Sequence, residues 1–369
     1  MNDEMENDTK LKKAIIKMIV FFDIFDYPLT ILEIWQNLEI KCELIEIMAV
    51  LENKIQPPLP PLIKGEAQPP LPPLIKGEIQ PPLPSLSGRR IENKNGFYFL
   101  PGREKIIKER LERYNFANRK FKKARLVVKI FKFIPWIKMI GVGSFGSRNL
   151  RDNGDIDLFI ITDDKRIWLT RFFCIGIIKL LGLRPRLNNN LKENPHTLLY
   201  QGGKRDKICL SFYASLSALN LEKLRLGQDD LGFTYWLAGL TLLYDVNKTH
   251  QKFVKDNQWL ADSLPNWQLI GQAGYCQVCG QGVRPLAEVR LLFENAIDLF
   301  ISWLEQQFKT LQLKILPEKL KSMMNRDSRV VINDQIIKLH ANDRREEYIE
   351  KYLEKIRQIN DRKKFLCNV

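Results

Sequence analysis

Two aspartates one residue apart, Asp155 and Asp157, open an apolar run, Leu158-Phe159-Ile160-Ile161, and a glycine-serine pair, Gly143-Ser144, closes an earlier one. Ten residues separate the serine from the first aspartate. Side chains alternate across a strand, so Asp155 and Asp157 share one face while Ile156 and Leu158 share the other. Their Cα atoms then lie roughly 6–7 Å apart, close enough for both carboxylates to reach a common cation. Two carboxylates on one face repel unless a positive charge sits between them, and hard cations such as Mg²⁺ prefer oxygen ligands. Residues 137–142 are an apolar run of strand length that stops at Gly143-Ser144, and a short basic loop rich in small residues follows. Strand, glycine-rich turn, polar loop and second strand are therefore the elements that must hold this chemistry.

Gly143-Ser144, ten intervening residues and Asp155-Ile156-Asp157-Leu158 together resemble the signature of the DNA polymerase beta-like nucleotidyltransferase superfamily. The resemblance implies a mixed-sheet domain of α+β class over residues 133–228. It implies that Gly143, Ser144 and Arg148 contact nucleotide phosphates and that Asp155 and Asp157 bind Mg²⁺ or Mn²⁺. The implied catalytic residues are the same two aspartates. The reaction is transfer of a nucleoside monophosphate from an NTP to an acceptor hydroxyl, with pyrophosphate released. Active members carry a third carboxylate on a later strand. Here that strand is expected at 208–213, and KICLSFYAS contains no acid. Asp206 stands just before it, and residue 154 is Gly where the family often has Ser. The alternative is therefore a catalytically degenerate member that binds nucleotide or nucleic acid in a regulatory role.

The rest of the 369-residue chain is long enough for two or three domains. Apolar residues recur at helical spacing from Leu11 to Phe22, and Asp26-Tyr27-Pro28 ends that pattern. Thr30 followed by Glu33 is a capping-box pattern that starts a second helix, and a third spans 43–52. Asn95-Gly96 predicts a hairpin turn before the aromatic strand Phe97-Tyr98-Phe99. Three helices and a hairpin predict a winged-helix unit over 10–102. Its third helix carries Glu43, Glu46 and Glu52, which suits packing or protein docking better than phosphate contact.

A proline-rich repeat interrupts this unit at 55–90, where IQPPLPPLIKGE recurs as AQPPLPPLIKGE and, degraded, as IQPPLPSLSGRR. Paired prolines predict extended polyproline II or no fixed structure, either a ligand for proline-binding domains or a passenger insertion in a loop tip.

Residues 103–132 hold twelve Lys and Arg against three Glu, and the whole chain carries a formal charge of +15. A helix with Arg110, Arg113, Lys120, Lys122, Lys123 and Arg125 on its charged face is expected there. Such a face either funnels a polyanion such as nucleic acid toward the aspartates or is a solvated connector. After the aspartates, a helix is expected over 164–181, stopped by Gly182. From 229 to 369 the pattern predicts a mainly helical region. One helix is expected to contain Tyr235, Trp236, Leu240 and Leu243, and a long one to cover 285–315. A short strand pair is expected around Asn333-Asp334, with a charged helix from Asp343.

Cys276 and Cys279 look like half a zinc knuckle without its second ligand pair, and His196, His250 and His340 show no ligand spacing. Neither a Ser-His-Asp order nor a Walker-type loop occurs. Six unevenly spaced cysteines, a polar N-terminus unlike a secretory signal and no run of membrane-helix length predict a cytoplasmic protein without a membrane span. The oligomeric state has no signal in the sequence.

Overall fold

In a computed structural model of the chain, the described residues are 2–52, 91–143, 150–152, 154–185, 206–227, 229–267 and 294–367. The proline-rich repeats, Ser144, Arg148, His196 and the Cys276/Cys279 pair lie outside them.

The N-terminal elements run helix α1 (Asn2–Asp23), strand β1 (Leu29–Thr30), helix α2 (Ile31–Gln36), helix α3 (Leu44–Glu52), strand β2 (Glu92–Lys94) and strand β3 (Phe97–Phe99). The three strands form an antiparallel sheet in the order β1-β3-β2. Asn95 and Gly96 sit at φ 54° and 76°, the left-handed pair that a two-residue hairpin turn needs. Thr30 and Glu33 close a reciprocal capping box: Glu33 N–H donates to Thr30 Oγ1 at 3.3 Å, and Thr30 N–H donates to Glu33 Oε2 at 2.8 Å. Thr30→Ala is expected to lower the unfolding free energy by about 1 kcal/mol, read from urea denaturation of the full chain.

Helix α4 (Ile106–Phe131) follows, and it corrects the expected basic face. Arg110, Arg113 and Lys120 are buried. Arg110 donates to both carboxylate oxygens of Glu33 at 2.8 Å, to Pro28 O and to Tyr114 Oη, and packs over the Tyr27 ring. Arg113 donates to Phe25 O at 2.8 Å and Asp26 O at 3.1 Å. Arg110 and Arg113 hold the N-terminal unit against α4, because both reach back to the segment that carries Phe25, Asp26, Pro28 and Glu33. Of the six predicted, Lys122, Lys123 and Arg125 alone keep solvent contact.

The main sheet has six strands. Strand β4 (Ile137–Val142) pairs antiparallel with β5 (Ile156–Thr162), and helix α5 (Ile167–Leu180) crosses over to β6 (Ile208–Ser215), which runs parallel to β5. Gly182, at φ 63°, stops α5. Its N–H donates to Lys179 O, and that of Leu183 donates to Ile178 O. Helix α6 (Leu231–Ala238) is followed directly by strand β7 (Thr241–Asp245), which pairs antiparallel with β4. Leu240 and Leu243 therefore do not continue the helix of Tyr235 and Trp236. A five-residue apolar run after Gly239 fits either state by periodicity, and the free edge of β4 decides for strand.

Helices α7 (Thr249–Asp256), α8 (Trp259–Ser263), α9 (Glu294–Lys314) and α10 (Glu318–Met323) come next. Strands β8 (Val330–Ile332) and β9 (Ile336–Leu339) and helix α11 (Arg345–Cys367) complete the chain, and the sheet order is β7-β4-β5-β6-β9-β8. The region from 229 supplies three of the six strands, the pair expected around Asn333-Asp334 and β7, which the sequence pattern predicts as helix.

The sheet is mixed and the fold is α+β, with helices on both faces. One face, with Met139, Phe159, Ile161 and Phe212, shares a core with α1, α6, α7 and α8. The other, with Ile140, Ile156, Ile160 and Tyr213, packs on α4 and α5. Phe21 and Phe22 of α1 meet Tyr235 at ring-centroid distances of 5.1 and 4.9 Å, so the apolar core continues from the N-terminal unit to the sheet. Among the described residues no helix is long and apolar enough to cross a membrane.

Candidate active site

All six residues of β4 are buried, and Val142 is registered opposite Leu158. One residue further, Gly143 N–H donates to Asp157 O at 3.2 Å, so the glycine that opens the loop lies directly across from the second aspartate. Asp157 is the one exposed position on β5, and Asp155 just before it is half-buried. Between them Ile156 is buried in the opposite core, so the two carboxylates share the face on which Gly143 has no side chain. That glycine is required. A Cβ at position 143 would lie 2.2 Å from Nε1 of Trp236, whose indole edge from α6 covers the end of β4.

The parallel neighbour β6 places Cys209 opposite Asp157. The thiol favours the charged form of the Asp157 carboxyl. It also lies 3.3 Å from Ser211 Oγ, which in turn is 2.6 Å from Nε2 of His340 beyond the end of β9. Burial, then the Asp157 charge, push the thiol well above its ordinary range, so it stays protonated. The protein enclosing Asp157 raises its carboxyl, although one side opens to solvent, while the Cys209 thiol and the Lys120 ammonium pull the other way.

Asp206, the acid nearest β6, is engaged elsewhere. Arg119 donates to both of its oxygens, at 2.8 and 2.9 Å, and to Asp152 at 2.7 Å. Burial alone would raise Asp206, but Arg119 and Lys120 outweigh it and hold the carboxyl below its ordinary value. Lys120, fully buried, donates to Arg151 O at 2.5 Å and to Gly154 O, the loop that delivers Asp155. Buried Lys120 and the more exposed Arg119 therefore tie down the residues that lead into Asp155.

Among the described residues no three His, Cys, Asp or Glu side chains converge on a common point. Mg²⁺ is commonly held by one or two carboxylates and completed by substrate phosphates and water. Asp155 and Asp157, solvent-accessible and on one face, fit that role; they do not form a cage that the protein closes alone. Cys209, as a thiol, adds no ligand for a hard cation. Ser144 and Arg148 lie outside the described residues. Three contributors escaped the sequence reading: Trp236 over Gly143, Cys209 beside Asp157, and Lys120 beneath the loop. Each comes from a segment remote in sequence, and the alternation that places Cys209 on the Asp157 face was the one signal available.

His340 and His250 are enclosed, and burial lowers both to about 4; Lys338 and Arg345 add to the shift of His340, while Asp343 opposes it. Their ordinary value is 6.5, so the folded state binds fewer protons than the unfolded chain between about 4 and 6.5. Stability from this source is complete above 6.5 and is lost as the pH falls toward 4. Unfolding free energies from pH 7 to 4 should decline across that window, and His340→Gln should reduce the slope.

No protein-family model, no curated protein and no solved structure matches this chain.

Proposed function

We propose that the chain is a metal-dependent nucleotidyltransferase of the polymerase beta-like type. It would move a nucleoside monophosphate from an NTP to an acceptor hydroxyl. The observation that carries this reading is the Gly143 N–H to Asp157 C=O hydrogen bond, which sets the start of the glycine-rich loop against the aspartate pair. In this reading Gly143 lets the phosphate chain approach the backbone, and Ser144 and Arg148 contact it from the loop. Asp155 and Asp157 hold Mg²⁺ or Mn²⁺, which when bound neutralises phosphate charge and lowers the pKa of a coordinated hydroxyl. Lys120 and Arg119 keep the aspartate-bearing loop in place.

The N-terminal unit reads as a winged helix by its order of three helices and a β1-β3-β2 sheet. The outward face of α3 carries Ile45, Glu46 and Met48, apolar and acidic rather than basic. That composition supports a protein-docking role over phosphate contact.

One observation favours a second reading. A protonated thiol, Cys209, stands opposite Asp157 on the strand where a third carboxylate is expected, which fits a nucleotide binder without transfer activity. Incubating the purified protein with α-labelled NTPs and Mg²⁺ or Mn²⁺ separates the two. Label transfer with pyrophosphate release supports the enzyme, and NTP binding without transfer supports the binder. Neither binding nor transfer would overturn both.

A further inference from the structure

Trp236 differs from most tryptophans of this chain in how it is held. Its ring stacks on Phe212 at 5.5 Å and 18° and on Phe233 at 5.7 Å and 14°, and meets Phe159 edge-on at 6.0 Å. The ring orientation is thereby fixed. The edge carrying Nε1 occupies the place a side chain would take at Gly143, with Nε1 2.2 Å and Cε2 2.7 Å from an ideal Cβ. Gly143 lies opposite Asp157, and side chains directly opposite in an antiparallel pair have Cβ atoms about 4.5–5.5 Å apart. The indole edge therefore fills the slot next to the Asp157 carboxylate, on the same face of the sheet.

Trp35 donates to Cys42 O at 2.9 Å, Trp168 to Asp334 at 3.0 Å, Trp259 to Asn257 at 3.1 Å and Trp267 to Ala238 O at 3.1 Å. The Trp236 N–H has no acceptor among the described residues, and the residue is only half-buried. Trp136, half-buried and also without one, precedes the opposite end of β4. A half-buried indole N–H beside a carboxylate pair can exchange a water for an anionic oxygen, and charged acceptors make the stronger bonds.

We infer that the Trp236 indole N–H donates a hydrogen bond to an oxygen of a phosphate chain bound at the Asp155–Asp157 pair, beside Gly143, an inference that rests on the nucleotide site proposed above. The aromatic stack would then serve to hold this donor. Trp236 is on this view a ligand contact contributed by α6, the element whose indole edge covers the end of β4.

The probe is inorganic tripolyphosphate with Mg²⁺, added to the full chain with ¹⁵N-labelled tryptophan. One indole resonance, assigned by its loss in Trp236→Phe, should move downfield on addition. Paramagnetic broadening with Mn²⁺ in place of Mg²⁺ gives the same assignment should that variant fail to fold. Trp236→Phe keeps the stacked ring and removes the donor, so its Kd for the Mg²⁺ complex should rise about tenfold, with the melting temperature unchanged. Binding by the wild-type protein with the Trp236 resonance unmoved overturns this inference and leaves the site standing. No binding by the wild-type protein with either cation overturns the site and the inference together.

Discussion

Replacing Asp155 and Asp157 together by Ala should reduce nucleotidyl transfer by on the order of 10³-fold or more, because loss of about 4 kcal/mol of charge stabilisation divides a rate by roughly that factor. Asp157 is the one exposed residue of β5 and Asp155, just before the strand, is half-buried, while every other residue of β5 is buried. The double variant should therefore keep its fold, and its circular dichroism spectrum and melting temperature should match the wild type. The single change Asp157→Asn sharpens the test. Enclosure raises the Asp157 carboxyl above its ordinary value, against the opposing pull of Cys209 and Lys120. The folded state thus holds that proton more tightly than the unfolded chain. Stability from this source is greatest at low pH and falls as the pH rises from the ordinary carboxylate value through the raised one. Asparagine removes that loss, so without divalent cation at pH 7 the variant should be at least as stable as the wild type. Solvent contact at Asp157 keeps the gain small. Activity lost with stability kept or increased is the signature of residues retained for a ligand. Transfer that persists in the double variant would rule out the aspartates as its centre. Unchanged NTP binding by that variant would place the nucleotide elsewhere.

What the sequence disclosed divides along a physical line. The β4–β5 pair, the Asn95-Gly96 turn and the Gly182 stop rest on local rules: run length, alternation, and the left-handed backbone that Gly and Asn tolerate. The shared face of Asp155 and Asp157 follows from the two-residue period of a strand. Features that depend on which segments meet could not be read in the same way. Cys209 stands opposite Asp157 through the β5–β6 register, and Trp236 covers Gly143 because α6 returns across the end of β4. Strand β7 reads as helix until the free edge of β4 is known. The basic stretch misleads most. Arginine and lysine at helical spacing suggest a solvated face, yet Arg110 and Lys120 are buried on partners that sequence distance hides: Glu33 for one, Arg151 and Gly154 carbonyls for the other. A buried cation leaves no periodic trace, because its partners belong to other segments.

Lys120→Met should cost about 3–5 kcal/mol of stability, the usual loss when one member of a buried charged network is removed. The ammonium is fully buried, donates to Arg151 O at 2.5 Å and to Gly154 O, and lies 3.9 Å from Asp206. Burial lowers its pKa, and Asp206 is the largest influence opposing that shift. Methionine fills similar volume but takes one donor from each of two loop carbonyls, leaving Arg151 O with the Gly154 N–H, and removes the nearby ammonium from Asp206. The damage should reach the site, because those carbonyls belong to the loop that ends in Asp155. At temperatures where Lys120→Met is still folded, binding of Mg²⁺ and nucleotide should weaken further than in Asp206→Asn, which leaves both loop bonds in place. Lys122→Met, on the exposed face of the same helix, supplies the comparison: it removes the same charge from the same basic stretch and should change unfolding free energy by less than about 0.5 kcal/mol. If the two lysine variants unfold alike in urea, the buried tether is wrong and the basic helix is a solvated face after all. If they differ as expected, part of the positive charge of residues 103–132 serves to hold the aspartate loop, and only three cations of the six-residue stripe that its sequence suggests, Lys122, Lys123 and Arg125, keep solvent contact.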